Sequence, residues 1–476
     1  MSKFRTAALA ARVQGDKSSL SVASRIAALI IIAVAGLLFA GCPAQPKAPS
    51  SFTIDLDGGK SAKDILPWGT DRTVAKYDLY FDGPGDSDFE VLGHVGSTYT
   101  KANAEPGTWL AGIFALNSDG EDVASASLEF TVAAGEDKAV EAVFTDYPMR
   151  GVYTLAGSGA AGSADGTGTS ASFSAPRGIT VDSSGIIYVA DTGNNKIRKI
   201  TQAGVVSTLA GSGAAGSADG TGAAASFDFP VGITTDSSGN VYVSEWGNDA
   251  IRRITPAGVV TTFVAGGSIA VLNNPSGLAM DSSGNLYIAD TGSSSIKKVT
   301  PAGAVSTYAG IPGSPGWFDS ADPAEARFDG PQGLAIKSTD GTLYVADTNN
   351  HCFRQIAANG TVSTVIGDTS GRQPGFVDGN AVSARMYFPR GIAYGGTIHI
   401  ADTSNHAIRC YQVFSPTLVT HAGKDPDVPV YNVPESGTAN GNYPDARFNS
   451  PSGVYIYLDY SFVADTDNNL IRKIVN

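Results

Sequence analysis

At 476 residues, with 57 glycines, 16% charged side chains and a formal charge of −13 at pH 7, the chain has room for two or three compact domains. The glycine content suits many short strands joined by tight turns, where positive φ is required, and excludes a helical bundle. The net acidity argues against nucleic acid as a partner and against direct adhesion to anionic lipid.

The N-terminus is a targeting segment and not part of the fold. Lys3, Arg5, Arg12, Lys17 and Arg25 precede an apolar run from Ile26 to Ala40, which is followed by Gly41-Cys42. The run is shorter than the roughly 20 residues a membrane span needs. Leu38-Phe39-Ala40-Gly41-Cys42 resembles a bacterial lipoprotein signal. The resemblance implies cleavage after residue 41, lipid attachment at Cys42, and an exported, membrane-anchored protein of the cell envelope, in the outer membrane or at the cell surface. Losing residues 1–41 removes five basic groups and one acidic group, which leaves a formal charge of −17.

Residues 42–51 (CPAQPKAPSS) form a Pro-rich tether that cannot build a core. Residues 52–146 show period-two alternation between turn-forming segments. Leu79 and Phe81 flank Tyr80, and Ala124, Ala126, Leu128, Phe130 and Val132 alternate with Ser125, Ser127, Glu129 and Thr131. Val140, Ala142 and Phe144 continue the pattern. Such strands predict a small β-sandwich that resembles immunoglobulin or fibronectin modules. The acidic stretch Asp82 to Asp88 lacks the spacing of a calcium-binding loop and reads as a solvated turn.

Residues 150–476 repeat themselves. The fullest unit runs Pro176-Arg177-Gly178-Ile179, Val181-Asp182-Ser183-Ser184-Gly185, Tyr188-Val189-Ala190-Asp191-Thr192, Lys196 to Ile200 and Val206 to Gly211. Pro-x-Gly recurs at Pro230, Pro275, Pro331, Pro389 and Pro451, and the acid ending the second strand recurs at Glu245, Asp290, Asp347, Asp402 and Asp465. Six copies spaced by 45 to 62 residues, with four short strands each, predict propeller blades. These residues resemble NHL repeats. The expected fold is all-β: a six-bladed NHL-type β-propeller preceded by the sandwich. The segment Val152 to Gly157 matches a fourth strand, while the last copy stops at its third, Ile471 to Ile474. The N-terminal strand is therefore expected to close the ring and remove its exposed edge.

Most repeated residues have structural readings. The acid after the second strand can accept backbone N–H groups of the following turn, and Asp182, Asp236 and Asp281 can do the same at the opposite end. The Ala-x-Phe before Pro176, Pro230, Pro331 and Pro451 is expected to pin each long loop to the core. Cys352 and Cys410 read as isolated buried thiols. His351, His399, His406 and His421 do not converge by spacing on a metal. The Gly-rich loops are not phosphate loops, since no Lys-Ser/Thr and no helix follow.

Departures from the repeat carry the functional expectation. The middle residue of Pro-x-Gly is Arg177, Val231, Ser276, Gln332, Arg390 or Ser452, a ring around the channel mouth. Five copies have Thr after the acid and one has Trp246. Trp246 either shields the short loop that follows or, with Arg177, Gln332 and Arg390, forms a ligand face. The resemblance implies recognition of a protein, peptide or glycan ligand without catalysis or cofactor. Related propellers include metal-dependent lactonases and a lyase. Here the first strands, such as Gly178-Ile-Thr-Val181 and Gly333-Leu-Ala-Ile336, carry neither carboxylate nor histidine to hold a channel metal.

Overall fold

The computed structural model describes residues 50–55, 76–82, 89–94, 98–116, 122–134, 136–141, 145–146, 151–367, 373–381, 383–413, 415–423, 436–441 and 446–475. The signal segment, Cys42, most of the tether and residues 83–88 of the acidic stretch lie outside them. The chain divides into two compact units, Met1–Met149 and Arg150–Asn476. Among the described residues there is no α-helix, and the strands form antiparallel sheets with one parallel pairing, Ser50–Asp55 with Asp137–Glu141.

The first unit holds two sheets. One pairs Ser50–Asp55 with Thr98–Ala104 and with Asp137–Glu141. The other runs in the order Phe89–His94, Lys76–Asp82, Gly107–Leu116, Asp122–Val132, Thr145–Asp146. The alternation predicted this burial where side chains are described: Leu79, Phe81 and Val132 are buried while Thr131 is exposed. Phe81 of the larger sheet stacks on Tyr99 of the smaller, with ring centroids 5.5 Å apart.

In the second unit the described residues form six sheets, each with four consecutive antiparallel strands at its centre. The last is completed from the other end of the sequence: Gly151–Ala156 pairs with Leu470–Val475. Each hydrophobic core lies between consecutive sheets. Tyr188, Ala190 and Ile197 of the first sheet pack with Ile233 and Val243 of the second, and Phe462, Ala464 and Ile471 of the sixth pack with Ile179 and Val189 of the first. The second strand of every sheet is therefore covered on both faces. Ile187–Asp191 is buried at all five positions, which explains its continuous apolar run where a half-buried strand would alternate.

Close approach at the inner edge explains the Pro-x-Gly motif. A Cβ on Gly178, Gly232, Gly277, Gly333, Gly391 or Gly453 would fall 2.0–2.4 Å from the carbonyl oxygen of Val231, Ser276, Gln332, Arg390, Ser452 or Arg177, respectively. Each first strand thus presses its glycine against the next one, and the sixth presses against the first. A second set of contacts repeats around the same circle. The left-handed residue ending each turn after the second strand accepts a backbone N–H from the next sheet's loop. Asn195 Oδ1 accepts from Phe229 at 3.0 Å, His351 Nδ1 from Phe388 at 3.2 Å, His406 Nδ1 from Ser450 at 2.9 Å, and Asn469 Oδ1 from Ala175 at 2.9 Å.

The acid ending the second strand departs from expectation. Asp191 does not bond the following turn's backbone. Its Oδ1 accepts from Ser174 N in the preceding loop, and its Oδ2 takes Asn194 Nδ2 and the buried guanidinium Arg198 Nη1 at 2.8 Å. Arg198 Nη2 donates in turn to Asp165 Oδ1 at 2.7 Å. Pairs of the same spacing join Glu245 to Arg252, Asp347 to Arg354, Asp402 to Arg409 and Asp465 to Arg472. The guanidinium lies over Phe173, Phe227, Phe328 or Phe448 in four sheets, so Ala-x-Phe pins the loop to the core as expected. At the opposite end, Asp182 Oδ1 does accept from Ser184 N and Ile186 N, an Asx turn as read.

The long loops run along the outer edge of their own sheet. Gly166–Thr167 pairs with Val205 and Val206 at the far end of the fourth strand, and Gly220–Thr221 and Gly379–Asn380 do the same in two other sheets. Cys352 and Cys410 are free and buried.

Candidate functional site

The six first strands enclose a cavity of about 260 Å³, lined from Arg177 through Thr180, Val231 through Thr235, and the equivalent stretches of the other sheets. All six middle residues of Pro-x-Gly meet there, as the repeat spacing predicts. They are not equivalent. Val231 is buried, Ser276 Oγ accepts from Trp246 Nε1 and from Thr291 Oγ1, both at 2.8 Å, and the Ser452 hydroxyl bonds Thr466. Those three positions are closed. Arg177, Gln332 and Arg390 remain, and among the described residues their side chains have no hydrogen-bond acceptor or donor.

Trp246 stands where other sheets use a threonine to tie the next sheet. Thr192 Oγ1 donates to Pro230 O at 2.6 Å, and Thr348, Thr403 and Thr466 make the same bond to Pro389, Pro451 and Pro176. The indole replaces that tie with its bond to Ser276 and stacks on Phe229 at 5.8 Å and 20°. The guanidinium of Arg177 lies 5.1 Å from the Phe229 ring centroid and 5.5 Å from that of Trp246. Trp246 itself is not among the residues that line the cavity. It bridges to the third sheet, and it carries one of the mouth arginines on its ring.

Burial pulls the Arg177 pKa down to about 10, and the nearby positive charge of Arg390 pulls in the same direction while Asp467 opposes it. Arg390 is lowered by burial too, again opposed by Asp467. Asp467 sits on the exposed turn of the sixth sheet, where other sheets have Gly193, Gly247, Gly292, Asn349 or Ser404. Sequence reasoning missed Asp467, the one acid at its turn position, and Phe229, whose position holds Ala175, Asn274, Gly330, Phe388 and Ser450 in the other repeats.

The histidines lie elsewhere. His351 and His406 hold the loops described above. His399 is buried, its Nδ1 is 2.9 Å from Ser461 Oγ, and its ring centroid is 4.4 Å from that of His421. Burial and the neighbouring His421 push His399 down to about 3, so it is neutral at physiological pH. Among the described residues no three His, Cys, Asp or Glu side chains form a metal-binding group.

Comparison with known proteins fits this architecture. The teneurin NHL domain family matches residues 155–229, and the NHL repeat family matches residues 272–299 and 328–356. NHL repeat-containing protein 2 of Gallus gallus is 28% identical over 329 residues, covering 65% of this chain and 40% of the relative. Teneurin-4 of Homo sapiens is 30% identical over 328 residues, covering 64% of this chain and 10% of that protein. The chain thus spans well under half the length of these relatives. Among solved structures, an auxiliary nutrient binding protein from Bacteroides thetaiotaomicron VPI-5482 superposes with a TM-score of 0.53 at 17% identity, over 84% of this chain and 91% of that one. Another, from Bacteroides ovatus ATCC 8483, gives 0.54 at 15% identity, over 84% and 91%. At such identity the likeness concerns the fold. Sequence matches and architecture together support an NHL-repeat, propeller-like protein.

Proposed function

We propose that this chain is a non-catalytic binding or scaffold lipoprotein of the bacterial cell envelope. Its lipid anchor is Cys42, its first unit is an immunoglobulin-like spacer, and its second is a six-bladed NHL propeller closed by Gly151–Ala156. The propeller presents its channel mouth, with Arg177, Trp246, Gln332 and Arg390, to a protein, peptide or glycan ligand. The observation that carries this reading is the convergence of Arg177, Gln332 and Arg390, without hydrogen-bond partners among the described residues, on one 260 Å³ cavity. A concave site with a few convergent polar groups on a rigid scaffold is the usual form of a binding site. The charged side chains lining it are both arginines, a set suited to hold a ligand's acceptor groups and unsuited to hold a divalent cation. The superposed nutrient-binding proteins share the fold and support a ligand-holding role by analogy.

Affinity capture from cell-envelope extract tests the reading, using the full chain and its Arg177→Ala/Trp246→Ala/Arg390→Ala variant. A peptide or glycan retained by the first and lost from the folded variant supports the mouth as the binding face. Equal retention by both contradicts it. Metabolic lipid labelling of the wild type and of Cys42→Ala tests the anchor, and equal labelling would contradict attachment there.

A further inference from the structure

Two arginines at one mouth pose an electrostatic problem. A buried cation is costly unless it is paired and hydrogen-bonded. Among the described residues of this propeller that requirement is met at five buried guanidiniums: Arg198, Arg252, Arg354 and Arg409 each hold two carboxylates, and Arg472 holds Asp465 and Asn440 Oδ1. Arg177 and Arg390 are half-buried with Nε buried and without a hydrogen-bond partner, hold no carboxylate, and share only the exposed Asp467 as a nearby opposing charge.

Resting on the reading above, we infer that Arg177, Gln332 and Arg390 bind the anionic group of a small ligand, a carboxylate or a phosphate, at the mouth of the channel. The guanidinium fork matches either oxyanion and is the usual partner for both. Arg177 is held in place by Phe229 and Trp246, so less freedom is lost when it takes a ligand. Gln332 adds an amide with both donor and acceptor for a neighbouring hydroxyl or carbonyl. The cavity, at about 260 Å³, is at the small end for ligand pockets, which limits the bound group to a small acid or the acidic end of a chain. In a chain of formal charge −13, this is a local positive site on an acidic protein.

The test uses the full chain with glucuronate, citrate and inorganic phosphate as probes and glucose as the neutral counterpart of glucuronate. Thermal shift and calorimetric titration are read for the wild type, Arg177→Ala, Arg390→Ala and Gln332→Ala. At least one anion is expected to raise the melting temperature while glucose does not. Either arginine variant should bind about tenfold more weakly, and affinity should fall as salt rises. Without ligand, Arg390→Ala should melt no lower than the wild type, because its guanidinium pairs with no carboxylate, whereas Arg177→Ala also loses the contact with Phe229 and Trp246. Preference for glucuronate and citrate over phosphate, or the reverse, identifies which oxyanion the site takes. The inference is overturned if none of the three anions shifts melting, if Arg390→Ala melts lower without ligand, or if glucose binds as well as glucuronate irrespective of the arginines. In that last case, neutral binding lost in Gln332→Ala would keep the mouth as a binding face and discard only its anion chemistry.

Discussion

The third and fourth sheets of the propeller share an inner edge and differ at the outer one. In the fourth, a long loop carries Asp319 to the outer strand, and Arg354 is clasped between Asp319 at 2.5 Å and Asp347 at 2.9 Å. The third has only a short connection, in which Ser268 pairs with Leu272, and it brings no acid. There the buried cation is Lys297, which donates to Ile269 O at 3.0 Å and Thr307 Oγ1 at 3.2 Å, while Asp290 turns to Ser293 and to Asn273 N. Loop length thus selects the cation. A guanidinium is used where a long loop brings a second side-chain acceptor, a carboxylate in four sheets and Asn440 Oδ1 at Arg472 in the sixth, and an ammonium where one acid is joined by hydroxyl and backbone groups. The proposed binding residues lie at the inner edge, away from this constraint.

The largest effect that would sharpen this contrast is Arg354→Met. It leaves Asp347 buried without its cation and should cost about 3–5 kcal/mol, whereas Lys297→Met should cost about 1 kcal/mol. Equal losses in chemical denaturation would break the comparison. Lys297→Arg should also destabilise, because the second guanidinium nitrogen finds no acid in the short loop. The inner edges should behave alike: Gly277→Ala and Gly333→Ala each drive a Cβ to within about 2 Å of a neighbouring carbonyl and should each cost about 1–3 kcal/mol. A loss in one with none in the other would mean that the ring is not uniform.

Acid dependence sets the buried acids against the buried histidine. Burial raises the Asp290 carboxyl in the third sheet to about 6, above its unfolded value near 4. The folded state therefore binds the proton more tightly, and Asp290's contribution is full below pH 4 and lost as pH rises through 6. His399 in the fifth sheet, pushed down to about 3, does the reverse, with stability lost as pH falls below 6.5. Asp347 in the fourth sheet and Asp465 in the sixth are raised to about 6 as well, so melting curves between pH 4 and 7 should weaken the first trend in Asp290→Asn and lose the second in His399→Phe. The smallest expected effect is at the loop ties. Asn469→Ala should cost about 1 kcal/mol and Ser294→Ala less, since Ser294 holds Gly330 N at a longer 3.3 Å.

Much of this organisation is legible in the sequence because it is local or periodic. Pro-x-Gly marks the inner strand, and the departures Arg177, Gln332, Arg390 and Trp246 from the repeat point to the mouth. What was not legible depends on contacts between distant residues. The acid of Asp191 suggests a local turn, yet its partner Arg198 lies across a hairpin and the second acid, Asp165, comes from the preceding loop. The recurrence of a basic residue seven positions after each acid, from Asp191 and Arg198 to Asp465 and Arg472, is the signal that would have revealed it. Phe229 escaped notice because its position before Pro230 holds a different residue in most repeats. Its role follows only from the stacking of Trp246 upon it.

The central claim is that the mouth binds the ligand. Hydrogen exchange of the full chain, with and without material it retains from envelope extract, tests this most directly. The account predicts new protection confined to residues 176–178, 229–232, 245–247, 331–333 and 389–391. Protection confined to the first unit or to the outer strands, with none at these segments, would contradict it.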